Sequence, residues 1–248
     1  MSSSPDILIV GGGPAGATLG RALARAGIAA ALVDQARFPR RKACGGLLSP
    51  RSVALIAREF GRDRIAPLAA TTGCRLYHNG EFVAEGRRER EMYVVERSKL
   101  DARLLEDARR AGCDVIEGAR VTEVEPEAPA ARLEDGRRLT ARLIVGADGV
   151  NSVVRRALWG AWPRCAPMGM GLVTDLPAGA LRPEASDVMT QSMPRIYFGE
   201  AVWGYGWVFP KGECVSIGVG GLIGRNGDFR ALLRGLVERC CAPGSFDA

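Results

Sequence analysis

Residues 6–16, Asp6-Ile7-Leu8-Ile9-Val10-Gly11-Gly12-Gly13-Pro14-Ala15-Gly16, decide the fold of this 248-residue chain. A short apolar run suited to a buried parallel strand passes directly into the pattern G-x-G-x-x-G, whose glycines are Gly11, Gly13 and Gly16. Residues 17–26 then predict a helix that Gly27 would cap. A second predicted strand, 28–33, ends at Asp34, close to the spacing of about 20 residues expected for an acid that binds ribose hydroxyls.

This order of elements predicts a dinucleotide-binding site. Glycines permit the tight turn and the close approach of the backbone to a pyrophosphate, which rests at the positive N-terminus of the following helix. The alternative is a glycine-rich turn without a ligand, but strand, loop, helix, strand and acid in this order favour the site. The residues assigned to the dinucleotide are Gly11, Gly13, Pro14, Ala15, Gly16 and Asp34.

Composition is that of an ordinary soluble protein, with 47% apolar and 25% charged residues. The longest apolar runs, such as 28–33, are far short of the roughly 20 residues that a bilayer requires, and the first residues lack the order of a signal peptide. We therefore expect a cytoplasmic protein. The net charge is +6, yet no continuous basic run with interleaved aromatics indicates nucleic-acid binding. Attraction to anionic lipid headgroups or to a diphosphate stays open.

Cysteine and histidine usage argues against two common kinds of site. The seven cysteines form no C-x-x-C pair, and the single histidine, His78, cannot complete a Cys/His zinc set. One histidine without G-x-S-x-G also argues against a Ser-His-Asp hydrolase. We expect free thiols and no metal, with His78 at the end of a hairpin.

Two later segments indicate which dinucleotide binds. Residues 94–101 (VVERSKLD) lead into a predicted helix that ends near Gly112, and 133–137 predict a hairpin with an Asp-Gly turn. Its return strand reaches 143–155, Leu-Ile-Val-Gly-Ala-Asp-Gly-Val-Asn-Ser-Val-Val-Arg. This arrangement resembles the flavoprotein hydroxylase superfamily that includes p-hydroxybenzoate hydroxylase, in which G-A-D-G-x-x-S-x-x-R contacts the pyrophosphate region of FAD.

That resemblance implies FAD as the tightly bound cofactor. It implies that Arg97 contacts the flavin nucleotide, that Asp148 and Gly149 lie by the pyrophosphate, and that Arg155 supports the loop. The alternative for Arg97 and Arg155 is a pair of surface ion-pair partners. The implied fold is α/β, with a Rossmann-like FAD-binding domain interleaved with a mostly antiparallel β-sheet substrate domain.

Residues 205–211, Tyr-Gly-Trp-Val-Phe-Pro-Lys, predict a strand with an aromatic face. Side chains alternate along a strand, so Tyr205, Trp207 and Phe209 share one surface. Such a surface either belongs to a core or forms the wall of a site for a large apolar ligand.

Residues 40–50 complete a second resemblance. The pattern K-x-C-G-G at 42–46, together with Y-x-W-x-F-P-K and a following G-x-G, resembles the geranylgeranyl reductase family of FAD-dependent oxidoreductases. Members of that family saturate carbon–carbon double bonds of isoprenoid chains, with NADPH or another electron donor as reductant. The resemblance implies an isoprenoid or prenyl-lipid substrate, hydride from N5 of the reduced flavin, and peripheral membrane contact.

The same resemblance suggests roles for individual residues. Cys44 would donate the proton or shape the pocket, while Gly45 and Gly46 let the backbone pass close to a planar ring. Lys211 would anchor a headgroup phosphate or simply cap its strand. The basic loop at Arg40, Arg41 and Lys42 would meet a phosphate, with Lys42 assigned to the cofactor, or would be solvated. The candidate substrate-binding residues are Tyr205, Trp207, Phe209 and Lys211.

The domain boundaries expected from the sequence follow these motifs. Residues 1–75 and 96–160 are assigned to the FAD-binding domain, 76–95 and 161–225 to the β domain, and 226–248 to a helix and tail. Family members continue into a third flavin motif that this sequence lacks, so we expect a truncated chain. Two alternatives to the reductase remain: a flavin monooxygenase or halogenase of the same fold, and a non-catalytic remnant. The sequence leaves the oligomeric state unknown.

Overall fold

The computed structural model of the protein describes residues 4–162 and 167–246. They form two compact units, one from residues 4–41 and 98–162 and the other from 42–97 and 167–246. Residues 1–3, 163–166 and 247–248 lie outside the described residues; the predicted boundaries assign them to the FAD-binding domain, the β domain and the C-terminal tail, respectively. No helix of the described residues is long and apolar enough to cross a bilayer.

The strands are β1 (Ile7–Val10), β2 (Ala30–Asp34), β3 (Leu47–Leu48), β4 (Ala69–His78), β5 (Glu81–Val94), β6 (Asp114–Glu117), β7 (Val121–Glu125), β8 (Ala130–Leu133), β9 (Arg138–Thr140), β10 (Leu143–Gly146), β11 (Gly169–Pro177), β12 (Arg195–Phe198), β13 (Tyr205–Lys211) and β14 (Cys214–Leu222). The helices are α1 (Pro14–Arg25), α2 (Pro50–Phe60), α3 (Arg97–Arg110), α4 (Val153–Trp159), α5 (Asp187–Thr190) and α6 (Phe229–Cys240). Short 3₁₀ turns lie at Arg62–Arg64, Ala178–Ala180 and Pro183–Ala185.

A parallel sheet in the order β10-β1-β2-β6 forms the centre of the first unit. Leu8 and Ile9 of β1 and Leu32 of β2 are fully buried, as expected for strands covered on both faces. The chain passes outward from β1 through β2 to β6 and returns to β10 on the other side of β1. This reversal creates a crevice at the carboxyl ends of β1 and β10, where ligands bind in doubly wound folds.

Two local predictions for the first unit are close to the observed elements. Helix α1 begins at Pro14, earlier than expected, because proline suits the first helical position. Strand β2 begins at Ala30 rather than at residue 28. The hairpin at 133–137 is present between β8 and β9, with Gly136 at φ +87° in its turn. The fold class expected from the sequence is confirmed.

A seven-stranded sheet in the order β11-β14-β13-β12-β4-β5-β3 forms the second unit. Only the β12–β4 pair is parallel, so the sheet is mostly antiparallel. Helix α6, which the sequence predicts at the observed position, packs on one face. Its Leu233, Leu236 and Val237 share a buried cluster with Val208 of β13 and Ile217 of β14.

The structure groups residues 42–75 with the β-sheet unit, whereas the sequence assigned them to the first domain. Strand β3 pairs with β5, and β4 pairs with both β5 and β12. Because hydrogen-bonded strands share one sheet, these residues join the β unit. The short strand β3 and the parallel β4–β12 pairing are non-local and have no periodic signal in the sequence.

Glycines make room for Trp207 on the face of this sheet opposite α6. Trp207 pairs across the sheet with Gly218 of β14. An added Cβ at Gly218 would lie 2.1 Å from Cζ2 of Trp207 and 2.6 Å from the carbonyl oxygen of Leu172. A contact of that kind with backbone cannot be relieved by a side-chain rotation, so the indole position depends on glycine at 218.

We predict that Gly218→Ala lowers the free energy of unfolding by about 1–3 kcal/mol, because the added methyl overpacks Trp207 against β14. Gly235→Ala in α6 is the matched control. Nothing lies within 4 Å of its added Cβ, and alanine stabilises a helix interior by up to about 1 kcal/mol. Urea denaturation monitored by tryptophan fluorescence measures both variants. Equal stability of Gly218→Ala and the wild type would contradict the packing argument.

Candidate functional site

The loop between β1 and α1 is as tight as the sequence predicts. Gly11 has φ +107°, and an added Cβ there would lie 2.4 Å from the carbonyl oxygen of Ala147. An added Cβ at Gly16 would lie 1.9 Å from the carbonyl oxygen of Gly11. Close backbone packing within the protein therefore requires glycine at both positions. At Gly11 the loop after β1 packs against the segment after β10.

Gly13 has a different environment. An added Cβ there would meet only the Arg40 guanidinium, at 3.7 Å, so the protein does not demand glycine at this position. Gly13 is the N-cap of α1 and precedes Pro14, the first residue of the helix. Because glycine has no side chain, no side-chain acceptor at the N-cap binds the amide groups of the first turn. The first turn of this helix is thus an open site for an anion, and Gly13 is where a ligand would approach the backbone.

Arg40 contributes a positive charge beside this loop. Its guanidinium lies 3.4 Å from the carboxylate of Asp101, which is completely buried, and 4.8 Å from the ring centroid of Phe38. Both contacts hold the Arg40 side chain in place near Gly13. The sequence left open whether this basic loop meets a phosphate or is solvated. The ion pair of Arg40 with a carboxylate on a later helix has no signal in the sequence. Lys42 is exposed and belongs to the second unit.

Asp34 fixes the loop and faces a cleft. Its Oδ2 accepts a hydrogen bond from the amide of Gly12 at 2.6 Å, and its Oδ1 accepts one from the amide of Ala36 at 2.8 Å. Each carboxylate oxygen has a second lone pair, so these bonds leave acceptor capacity for ligand hydroxyls. The side chain thus has the position and acceptor capacity for the predicted ribose role.

A cleft of about 540 Å³ opens at the carboxyl ends of β1 and β2. Its volume lies within the usual range for small-molecule sites. Sequence reasoning identified Gly11, Asp34 and Asp148 of its lining. It missed several polar residues for which no motif provides a signal: Gln35, Arg120, Thr122, Glu134, Asn151 and Arg156.

The Gly-Ala-Asp-Gly segment forms the other side of the cleft. The carboxylate of Asp148 accepts hydrogen bonds of 2.6 Å from the hydroxyl of Ser152 and from the amide of Val153. It therefore caps the start of α4. Gly149 makes the turn at φ +78°. Arg155 lies over the ring of Trp162 at 4.2 Å, a position that supports the loop, while its neighbour Arg156 lines the cleft.

Cys44 lies beside two hydrogen-bond donors in the second unit. Its Sγ lies 3.4 Å from the amide nitrogen of Gly46 and 3.7 Å from Nη1 of Arg97. The resemblance implied that Arg97 contacts the flavin nucleotide, with a surface ion pair as the alternative. Its contact with the thiol was not foreseen, because 53 residues separate the two positions in the chain.

The two glycines after Cys44 are explained by contacts within the second unit. An added Cβ at Gly45 would lie 2.5 Å from Nε1 of Trp207 and 2.9 Å from Cδ2 of Phe209. Gly46 has φ +82°, and its added Cβ would lie 2.3 Å from the carbonyl oxygen of Val95. The ring that the backbone of Gly45 approaches in this unit is thus the indole of Trp207.

The aromatic residues of β13 share one face, as the sequence predicts. Tyr205 and Trp207 have ring centroids 6.1 Å apart, and Trp207 and Phe209 have centroids 6.2 Å apart. Phe209 is buried, Trp207 is half-buried and Tyr205 is 46% exposed. We call these three side chains the aromatic wall. The sequence left open whether these residues belong to a core or form an accessible surface. Phe209 belongs to the core, whereas Tyr205 is accessible.

Lys211 forms ion pairs with two carboxylates. Its Nζ lies 2.7 Å from the carboxylate of Asp175 and 3.8 Å from that of Glu96, and its side chain is only 9% exposed. A headgroup phosphate would have to displace these partners. The contacts favour the strand-capping alternative over the phosphate anchor.

Comparison with known families identifies the fold of the first unit and part of the second. A family model described as an FAD binding domain matches residues 4–171. The chain belongs to this family of FAD-dependent oxidoreductases. The loop, Asp34, the residues that line the cleft and the Gly-Ala-Asp-Gly segment all lie within the matched residues. The start of α1, which has no side-chain cap, has the chemistry that suits a pyrophosphate.

Several relatives of this chain have the names of reductases. The chain is 31% identical over 256 residues to menaquinone reductase of Mycolicibacterium smegmatis, covering 96% of this chain and 60% of that protein. It is 30% identical over 224 residues to geranylgeranyl diphosphate reductase of Rhodobacter capsulatus, covering 87% and 54%. The chain thus spans just over half the length of these relatives.

A solved structure shares the architecture as well. A geranylgeranyl bacteriochlorophyll reductase-like protein of Thermoplasma acidophilum matches with a TM-score of 0.77 and 25% identity, covering 95% of this chain and 61% of that one. The similarity extends over both units.

We predict that Gly13→Ala weakens FAD binding at least about tenfold, because its methyl would occupy space that only a ligand uses. The thermal midpoint of the apoprotein should not fall, since the added Cβ is not closer than 3.7 Å to any protein atom. Gly179→Ala, whose added Cβ meets nothing within 4 Å, is the control. Flavin fluorescence titration measures the affinities. Wild-type affinity in Gly13→Ala would rule out this position as the point of closest approach.

Proposed function

We propose that this protein is an FAD-dependent reductase of carbon–carbon double bonds in an isoprenoid chain. The observation that carries this proposal is the junction of the aromatic wall with Cys44-Gly45-Gly46. There, the backbone of Gly45 lies against Trp207 and Phe209. An apolar surface that packs against the residue next to a cysteine suits a long hydrocarbon that must be oriented and protonated. Relatives named for the reduction of geranylgeranyl compounds support this choice.

FAD would be held by the first unit. The amide groups at the start of α1 and the Arg40 guanidinium would bind the pyrophosphate, and Asp34 would bind the ribose. Asp148 and Gly149 would shape the opposite side of the cleft, with Arg155 as a support. In its reduced form, FAD supplies a hydride for reduction of the alkene, and NADPH or another electron donor would restore that form.

The aromatic wall would orient the substrate and exclude water. An isolated alkene has no carbonyl oxygen that a hydrogen-bond donor could polarise, so its reduction depends mainly on alignment and on a dry site. The rings of Trp207 and Phe209 are held by glycine backbone at Gly45 and Gly218, which limits their movement. The wall is therefore a preformed surface, and little ordering of protein is needed when the chain binds.

Cys44 would deliver the proton. The S–H bond of Cys44 breaks as a C–H bond forms at the alkene carbon that does not take the hydride, and water later returns a proton to sulfur. The amide of Gly46 and the guanidinium of Arg97 contact the sulfur and would stabilise the negative charge that this transfer leaves on it. Arg97 is thus assigned as a positioning residue for Cys44.

We predict that Cys44→Ala lowers the rate of alkene reduction at least about 100-fold, within the usual contribution of a general acid. Cys74→Ala, at a half-buried cysteine on β4, serves as the control and should keep the wild-type rate. Single-turnover reduction of a geranylgeranyl substrate under anaerobic conditions measures both. A solvent deuterium isotope effect should accompany proton transfer in the wild type. An unchanged rate in Cys44→Ala would exclude the donor role.

We predict that Lys211→Ala leaves substrate affinity unaltered but lowers the thermal midpoint. The amine is engaged by Asp175 and Glu96, so its removal leaves their charges without this partner. Substrate titration and thermal denaturation of the same sample separate the two effects. A large rise in the substrate dissociation constant without loss of stability would restore the phosphate-anchor interpretation.

The first measurement is the visible spectrum of the purified chain, with and without added FAD, followed by turnover. Reduction of the isoprenoid without oxygen supports the proposal. A product that forms only with oxygen would instead indicate a monooxygenase or halogenase of the same fold. FAD binding without any turnover would indicate a non-catalytic binding protein.

A further inference from the structure

Exposure increases steadily along the aromatic wall towards one end of β13. Phe209 is 6% exposed, Trp207 is half-buried and Tyr205 is 46% exposed. Two residues before Tyr205, in the turn that joins β12 to β13, Trp203 is 83% exposed. Aromatic side chains thus continue from the interior of the second unit to its surface along one short segment.

The turn that carries Trp203 is firmly held. The Asn226 side chain accepts a 2.7 Å hydrogen bond from the amide of Val202 and donates a 3.0 Å bond to its carbonyl. It also donates a 2.8 Å bond to the carbonyl of Leu222. An added Cβ at Gly204 would lie 1.9 Å from the carbonyl oxygen of Gly220. These contacts fasten the β12–β13 turn to the turn that follows β14.

Both fastened turns present apolar side chains to solvent. Val202 is 50% exposed, Trp203 83% and Ile223 52%. We call Val202, Trp203 and Ile223 the apolar tip. Single exposed apolar residues are ordinary, but here three lie on two turns that one asparagine ties together. Trp203 also has φ +51°, an unfavourable conformation for a bulky residue, so the backbone directs an aromatic ring outward at some cost.

The charge around the apolar tip is positive. Arg225 is exposed in the same turn as Ile223, and Arg230 is exposed in the first turn of α6. Of the neighbouring acidic groups, Glu200 pairs with Arg239. Asp228 accepts a hydrogen bond from the amide of Arg230 at the start of α6 and keeps its negative charge, so two arginines face one uncompensated carboxylate. The surface therefore combines an exposed aromatic residue and aliphatic side chains with a net positive charge.

We propose that the apolar tip docks on a lipid bilayer that contains anionic headgroups. Tryptophan favours the membrane interface, where its ring is apolar and its N–H stays hydrated, and arginines near it gain from the negative surface potential. The rigid turns reduce the entropy that docking would otherwise cost. A prenyl chain that leaves the bilayer beside the tip would meet Tyr205 first and then follow the aromatic wall inward. Only this last step rests on the proposed function.

Vesicle binding tests the proposal without turnover. The full chain, loaded with FAD, is sedimented with vesicles of phosphatidylcholine alone or of phosphatidylcholine mixed with phosphatidylglycerol. We expect the anionic vesicles to bind more protein, and added salt to weaken that binding. Trp203→Asn should reduce the partition coefficient about tenfold, because one large apolar side chain is lost from the interface. Asparagine tolerates positive φ, so this variant should remain folded.

Trp159→Gln is the matched control, since Trp159 is 75% exposed on α4 of the first unit. It should bind vesicles as the wild type does. Quenching of tryptophan fluorescence by brominated lipid should be lost in Trp203→Asn and kept in Trp159→Gln. Equal vesicle binding by Trp203→Asn and the wild type would overturn the proposal. Concentration-dependent dimerisation that Trp203→Asn abolishes, without vesicle binding, would also overturn it and assign the tip to a second copy.

A short, water-soluble isoprenoid separates this proposal from the proposed function. Trp203→Asn should reduce it at the wild-type rate in the absence of lipid, since the tip acts only in docking. If no variant reduces any isoprenoid but binding still depends on Trp203, the docking surface stands and the reductase assignment fails. If turnover is normal and vesicles never bind, the docking surface fails alone.

Discussion

The contact between the Trp207 indole and glycine backbone is the constraint on which the candidate site of the second unit depends. Gly45 packs against its Nε1 edge and Gly218 against its six-membered ring. Each glycine belongs to a different segment, so one ring fixes the 42–46 loop relative to β13 and β14. Cys44 is adjacent to that contact in sequence. The backbone that carries the Cys44 thiol is therefore anchored one residue away, where Gly45 packs against Trp207.

Glycines also determine the backbone packing of the β1–α1 loop in the first unit. At Gly11 and Gly16 the backbone approaches other backbone, and a side chain at either position would collide with a carbonyl oxygen. An added Cβ at Gly13 would collide with no protein atom. Packing within the protein thus explains two of the three glycines of the motif, and the proposed binding of FAD would explain the third. Substitution at Gly13 consequently separates affinity from stability, which substitution at Gly11 could not do.

The sequence predicted local patterns well and long-range pairings poorly. The strand–loop–helix start, the helix at residues 229–240 and the shared face of Tyr205, Trp207 and Phe209 follow from periodicity or from turn chemistry. The Cys44–Arg97 contact, the Arg40–Asp101 ion pair and the partners of Lys211 join distant parts of the chain. No spacing rule encodes such pairs. The same limitation displaced the expected domain boundary, because β4 is placed by its parallel partner β12.

The proposed function accounts for one unfavourable feature of the wall. The Nε1 donor of Trp207 is buried and has no hydrogen-bond partner among the described residues. A buried donor without an acceptor costs about 1–3 kcal/mol, which phenylalanine at this position would avoid. Phenylalanine, however, would contact Gly45 and Gly218 with less surface and would leave the centre of the wall less tightly packed. The larger ring extends a continuous apolar surface from buried Phe209 to exposed Tyr205. A hydrocarbon needs that continuity more than it needs a hydrogen bond, because it offers no acceptor of its own.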